Sequence, residues 1–197
     1  MKWLRRTPLE AVGWVAIDCE TSGLDVRRDR LLSVGAVAVR GGRIQAGDPY
    51  EAIVRQSAPS EPANILIHGI GGDAQLAGRD LGQVVQELST YIGDRIPVGF
   101  HAPFDAGILR RHGLHLRQDW IDLAALAPVL LPERGKPGAL DEWLENCGIA
   151  SHARHDALGD AFATAQLLLI VLAEARRQRV ETVEALRKLQ RAARYVL

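Results

Sequence analysis

Four carboxylates and one imidazole have the residue types and spacing for chemistry: Asp18 and Glu20, then Asp105, then His155 and Asp160. Asp18 and Glu20 lie in Trp14-Val15-Ala16-Ile17-Asp18-Cys19-Glu20-Thr21-Ser22-Gly23, an apolar run closed by a turn and read as a buried strand. Side chains alternate along a strand, so Asp18 and Glu20 share one face while Ile17 and Cys19 take the other. Two carboxylates side by side on an apolar strand repel, and a divalent cation relieves that repulsion. An all-oxygen donor set suits Mg2+ or Mn2+ better than zinc. A lone Asp-x-Glu is equally a pair of solvated edge acids; the other acidic blocks are what favour the cation.

The elements that must position these groups are readable in outline. Leu31 to Val39 is a second apolar run, Arg40-Gly41-Gly42-Arg43 a turn, and Tyr50 to Val54 a third strand, giving a meander of three antiparallel strands. Leu81, Val84, Val85, Leu88 and Ile92 have helical spacing over 80–92, with Asp80 as N-cap. Ile96 to Phe100 returns as a strand, parallel to the meander because a helix precedes it. Asp105 then falls in the first turn of a helix beginning near Pro103, where the helix dipole favours an ionised carboxylate. Residues 120–123 form one more strand, 124–131 a helix, 132–138 a loop, and 139–147 a helix ended by Gly148. Asp160 opens a long apolar helix running through Leu172, and His155 precedes it in a loop. A helix-start Asp and a loop His also occur for purely structural reasons.

Taken in order, Ile17-Asp18-Cys19-Glu20-Thr21-Ser22-Gly23-Leu24, His101-Ala102-Pro103-Phe104-Asp105 and His155-Asp156-Ala157-Leu158-Gly159-Asp160 resemble the three motifs of the DEDDh 3′-to-5′ exonucleases of the RNase H-like superfamily. Ile67-His68-Gly69-Ile70 looks like the segment beside the terminal nucleotide in proteins similar to the epsilon proofreading subunit of DNA polymerase III. The resemblance runs from about residue 13 to 173. It implies an α/β fold: an RNase H-like mixed sheet, three antiparallel strands plus parallel ones, flanked by helices. It further implies that Asp18, Glu20, Asp105 and Asp160 bind two Mg2+ or Mn2+ ions, with His155 as general base. The substrate would be nucleic acid with a free 3′ end, DNA in preference to RNA, and the product a nucleoside 5′-monophosphate. Thr21, Ser22 and Leu24 would seat the terminal residue, joined by His68, Ile70, His101 and Phe104. An RNA-trimming enzyme would carry the same motifs, and a catalytically silent binding module is the rival of another class.

Two positions depart from the family pattern. His101 stands where Asn is usual, and Gly71-Gly72 replaces the Thr that often follows His68-Gly69-Ile70, removing a helix cap that Asp73 is expected to replace.

The 197 residues suit a single domain. With 24 basic and 24 acidic residues the net charge is zero, so nucleic acid must be met by local basic patches. Cys19 and Cys147 lie in apolar contexts and read as buried thiols of a reducing compartment. No leader sequence is recognised and no stretch reads as apolar enough to span a bilayer, so the expectation is cytoplasmic, without a membrane partner. Residues 174–197 read as an additional helix with Val180, Val183, Leu186, Leu189, Ala193 and Val196 along one stripe. That stripe would pack on this domain or on a second subunit as a homodimer, in preference to Arg187, Lys188, Arg191 and Arg194 guiding a nucleic-acid backbone.

Overall fold

A computed structural model describes residues 7–149 and 156–193. The sheet is organised around two strands, β1 (Trp14–Thr21) and β2 (Leu31–Arg40), which pair antiparallel with Asp18 opposite Gly35. β2 is buried along all but its last residue, which explains its unbroken apolar run: it is covered on both faces. Its far edge is shared by the two-residue β3 (Arg43–Ile44) and by β4 (Tyr50–Ile53), both antiparallel. β5 (Ile96–Gly99) adds parallel to β1, and β6 (Ile121–Asp122) parallel to β5. The expected mixed sheet is thus present, with six strands among the described residues.

Helices cover both faces. Between β4 and β5 come α1 (Pro62–His68), α2 (Gly72–Ala77) and α3 (Leu81–Ile92); the first two are short and were not read from sequence. Asp80 caps α3 as expected, its carboxylate accepting from the amides of Gly82 and Gln83. The cap expected of Asp73 is not made: Gly71 is the N-cap of α2 without a side-chain bond, and Asp73 sits in the first turn. α4 (Ala102–Arg111) follows β5, and α5 (Leu123–Leu130) follows β6; α6 (Leu140–Asn146), α7 (Ala157–Arg177) and α8 (Val183–Ala193) complete the fold.

The alternation of β1 divides the core. Trp14 and Ala16 join residues of α5, α6, α7 and α8 on one face, while Val15, Ile17 and Cys19 join α3 and α4 on the other. α7 is the central helix of the first face, with ten buried residues from Ala157 to Ala175. Its 21 residues and mean hydropathy of 1.5 make it long and apolar enough to cross a membrane by length and composition, contrary to expectation. Half of that apolar stretch is buried, packed against β1, β2 and α5 as in the core helix of a globular domain. Both cysteines are free; Cys19 is buried, but Cys147 is half-buried.

Residues 174–193 do not form one helix. α7 continues to Arg177 and stops, Arg179 takes a left-handed conformation (φ 61°), and Thr182 starts α8 by accepting from the Ala185 amide. α8 packs its apolar stripe on the domain, burying Val183, Leu186 and Ala193. It is also tied to the sheet by polar bonds. Gln190 accepts from the Asp122 amide and donates to the Trp120 carbonyl, and Arg187 donates to the Asp119 carbonyl. Arg187 is buried, so it is not part of an exposed basic face of α8.

Candidate metal centre and active site

β1 outruns its parallel neighbour. Pairing with β5 covers only Trp14 to Ala16, and the remaining turn of sheet, carrying Asp18 and Glu20, faces the ends of α4 and α7 instead. One carboxylate oxygen from each of Asp18, Glu20 and Asp160 lies within 4.8 Å of the others. Three of the four expected ligands therefore converge from β1 and the first turn of α7.

That convergence depends on a residue the sequence reading passed over. A Cβ built on Gly35 would lie 2.3 Å from the carbonyl carbon and oxygen of Ala157 and 2.4 Å from the Leu158 nitrogen. The first turn of α7 thus rests directly on the β2 backbone beside Asp18, which only glycine permits. An isolated glycine inside an apolar strand was the available signal. Asp156 fixes the same turn, its side chain accepting from the Gly159 amide as N-cap.

Asp105 arrives from the other face. It is buried in the first turn of α4, with the Cys19 side chain and backbone hydrogen-bonded to its carboxylate. Gly99 leaves it room, since a Cβ there would stand 3.3 Å from Asp105 Oδ2. Asp122, also buried, accepts from the Ala102 amide at 3.3 Å and so holds the start of α4. Asp105 is outside the group of three but close enough to act on Asp18 electrostatically.

Burial and mutual repulsion act together on this cluster. Burial raises the Asp18 carboxyl well above the ordinary range, with Asp105, Asp160 and Glu20 adding repulsion. Burial likewise lifts Asp105, partly offset by its Cys19 hydrogen bonds. Glu20 is pushed up to about 7 by burial and then by Asp160 and Asp156. An oxygen-only set that resists ionisation in this way fits a hard divalent cation, which inverts the local electrostatics.

A stability consequence follows with a definite sign. Carboxyls raised in the folded state bind protons that the unfolded chain has released, so metal-free stability falls as pH rises from about 4.5 towards Glu20's folded value of about 7. Melting temperature in chelator is expected to drop over that interval. Mn2+ is expected to restore it increasingly as pH rises, because ions and protons compete for the same oxygens. Melting curves with and without Mn2+ at pH 5 and 7.5 check both trends, and Asp18→Ala should abolish the Mn2+ response.

The remaining expected residues divide. Leu24 is 88% exposed at the tip of the loop after β1, free to meet a ligand. Thr21 and Ser22 instead build that loop. The Thr21 hydroxyl donates to the Gly23 carbonyl, and Ser22 Oγ donates to Asp29 while accepting from the Arg30 amide. His68 is buried, its Nδ1 accepting from the Ile70 amide and its Nε2 facing Asn64 and Ser60. Burial lowers its pKa, in keeping with a neutral ring. These bonds fix the His68 ring within the scaffold, and Asn64, missed in the sequence, links α1 to β1 by donating to the Thr21 carbonyl. Half-buried Ile70 contributes its amide to that support, and beside it on α1 Leu66 and Ile67 are exposed. Phe104 is half-buried and packs against the α3–α4 core. His155 lies outside the described residues.

His101, the N-cap of α4, is left-handed (φ 59°, ψ 40°). Among residues with a side chain, Asn is one of those that visit this region most readily, which gives a physical reason for Asn in the family pattern; His is tolerated. His101 Nε2 adds an exposed contact to the Gly138 carbonyl at 3.3 Å. His101→Asn is expected to leave stability within about 0.5 kcal/mol, whereas β-branched His101→Val should cost about 1–2 kcal/mol, as read by chemical denaturation.

With this geometry in place, likeness to known proteins is specific. The exonuclease family model (RNase_T) matches residues 15–168. The chain belongs to that exonuclease family, of the DEDD type within the RNase H-like superfamily. It is 34% identical over 161 residues to DNA polymerase III PolC-type of Thermotoga maritima, covering 79% of this chain and 12% of the relative. It is 30% identical over 176 residues to the DNA polymerase III subunit epsilon-like protein of Rhodobacter capsulatus, covering 86% and 25%. The chain thus spans a quarter or less of these curated relatives. Among solved structures, exonuclease X in complex with 5′ overhanging duplex DNA superposes with a TM-score of 0.71 at 25% identity, covering 90% of this chain and 99% of that one. Exonuclease I of E. coli in complex with a dA16 oligonucleotide gives 0.72 at 18%, covering 84% and 42%, a likeness of fold.

Proposed function

We propose that the protein removes nucleotides one at a time from the 3′ end of DNA by metal-dependent phosphodiester hydrolysis, releasing nucleoside 5′-monophosphates. The observation that carries this reading is the convergence of Asp18, Glu20 and Asp160 within 4.8 Å, with Asp105 buried beside them. Two Mg2+ or Mn2+ ions, when bound, would supply a hydroxide nucleophile at neutral pH and neutralise charge on the leaving oxygen. Asp18, Glu20 and Asp160 are the residues that would hold them, and Asp105 joins Asp18 from the α4 side. The raised carboxyl pKa values keep the empty cleft protonated in part, so loading releases protons. His155 is assigned the proton of the attacking water, since an imidazole titrates near neutrality. Exposed Leu24 is positioned to pack on a terminal sugar or base.

Support for DNA comes from the relatives, which are DNA polymerase components or exonucleases solved with DNA. The test is a panel of 5′-labelled single-stranded, duplex and 5′-overhanging DNA beside matched RNA, with Mg2+ or Mn2+. Shortening of DNA from the 3′ end faster than of RNA is the expected result. Faster RNA degradation would make the protein an RNA-trimming enzyme, and binding without cleavage would make it a silent module.

A further inference from the structure

A second polar cavity lies on α4 away from the carboxylates. It measures about 660 Å3 and is bounded by the outer flank of α4 from Ala102 to Arg110, the 114–120 segment and α8. On α4 the residues Ala102, Ala106 and Arg110 share one flank, and Asp105 projects about 60–140° away around the axis, so the cavity opens within one helical turn of the metal cleft. Its charge is one-sided. Arg110, Arg187 and Arg191 line it with one carboxylate, Asp119, while Glu184 pairs with Arg191 at 3.4 Å from outside the lining, so the excess is basic in a chain whose net charge is zero.

The central observation is Arg187. It is 7% exposed, and its guanidinium is only partly used: one terminal nitrogen donates to the Asp119 carbonyl, another stands 3.9 Å from the Asp119 carboxylate, and Nε has no hydrogen-bond partner among the described residues. The Asp119 carboxylate is itself 77% exposed, so it neutralises Arg187 poorly. A buried guanidinium donor left unmatched in a basic cavity is complementary to a planar or tetrahedral oxyanion, for which arginine is the preferred partner. The cavity is also of the size that nucleotide-scale ligands occupy.

We propose that this cavity is a second phosphate site, which takes a phosphodiester of the nucleic-acid strand outside the metal cleft; this rests on the nucleic-acid reading of the cleft given above. Arg187 is the buried anchor, and Arg110 and Arg191 are the exposed pair that draw the strand in. Bound there, a strand is gripped on both sides of Asp105, so longer oligonucleotides gain affinity that short ones do not.

Two measurements on the full chain test it. In the first, inorganic phosphate and, separately, a nucleoside 5′-monophosphate are titrated into metal-free protein while the arginine Nε–H resonances are followed by NMR. The Arg187 resonance is expected to shift saturably. In the second, a 5′-labelled DNA 12-mer and trimer are bound to wild type, Arg110→Gln, Arg191→Gln and the distant control Arg40→Gln. The cavity variants should weaken 12-mer binding roughly three- to tenfold and reduce its salt slope by about 0.7 per lost contact, with the trimer and the control unaffected. A shift of Arg187 with unchanged 12-mer affinity would overturn the strand assignment and leave a site for free phosphate. No shift and unchanged affinity would remove the site altogether. A wild type that binds no DNA or RNA 12-mer would overturn the strand assignment and the nucleic-acid reading together, and the phosphate titration would then report on the cavity alone.

Discussion

His155→Ala is expected to lower turnover by about two to four powers of ten while leaving Mn2+ stabilisation and oligonucleotide affinity in place. The expectation separates proton transfer from ligation. In the proposed site the carboxylates hold the cation, so removing an imidazole that only accepts a proton should not disturb melting in Mn2+. The wild-type rate should rise with pH through the imidazole range, and the variant's residual rate should lack that limb. Asp160→Ala should behave differently, losing Mn2+ stabilisation along with turnover, because Asp160 is one of the three converging ligands. Single-turnover cleavage across pH 5.5–8.5, paired with melting curves in Mn2+, distinguishes the two. A wild-type rate and pH profile in His155→Ala would make the histidine a bystander.

Gly35→Ala is expected to cost about a hundredfold in turnover although it adds one methyl group and removes no functional atom. The new Cβ would meet the Ala157 and Leu158 backbone at 2.3–2.4 Å, against an ordinary contact of about 3.4 Å or more. Neither partner is a flexible side-chain end, so the first turn of α7 must retreat by about 1 Å and carry Asp160 with it. Displacements of that size in a reacting geometry cost about 10²-fold. Overpacking should also remove about 1–3 kcal/mol of stability. Turnover together with the Mn2+ dependence of melting measures both effects. Wild-type activity in a folded Gly35→Ala protein would show that α7 does not need to touch β2 for the ligands to meet.

The sheet and the long helices were legible because their burial is periodic. β1 alternates across two cores, β2 is apolar throughout because it is covered twice, and α3 carries both its stripe and its Asp80 cap in sequence. α1 and α2 were not legible, being six or seven residues long and held by Asn64, His68, Ser60 and Gln75, a polar network that leaves no apolar period. The continuing stripe through Val180 obscured the break between α7 and α8, although Thr182 carried the signal of a new cap.

At the site, residue types identified the charged groups but not what places them. Gly35, Asp122 and Asp156 position two helix starts without entering the chemistry, and their roles appear only when distant segments touch. The same holds for the scaffold bonds of His68 and Thr21 and for the packing of Phe104, which also appear only in the folded chain.

Degradation of 5′-labelled single-stranded DNA by wild type and by Asp18→Asn, each in Mn2+ and in chelator, tests most directly that the carboxylate cluster is where hydrolysis occurs. Asp18→Asn keeps the shape of a residue whose carboxylate is repelled by Asp105, Asp160, Glu20 and Asp156 but removes its charge. The prediction is a ladder of products shortening from the 3′ end with wild type in Mn2+, none in chelator, and a loss of at least about a hundredfold in the variant. Equal cleavage by Asp18→Asn, or cleavage by wild type that persists in chelator, would contradict it.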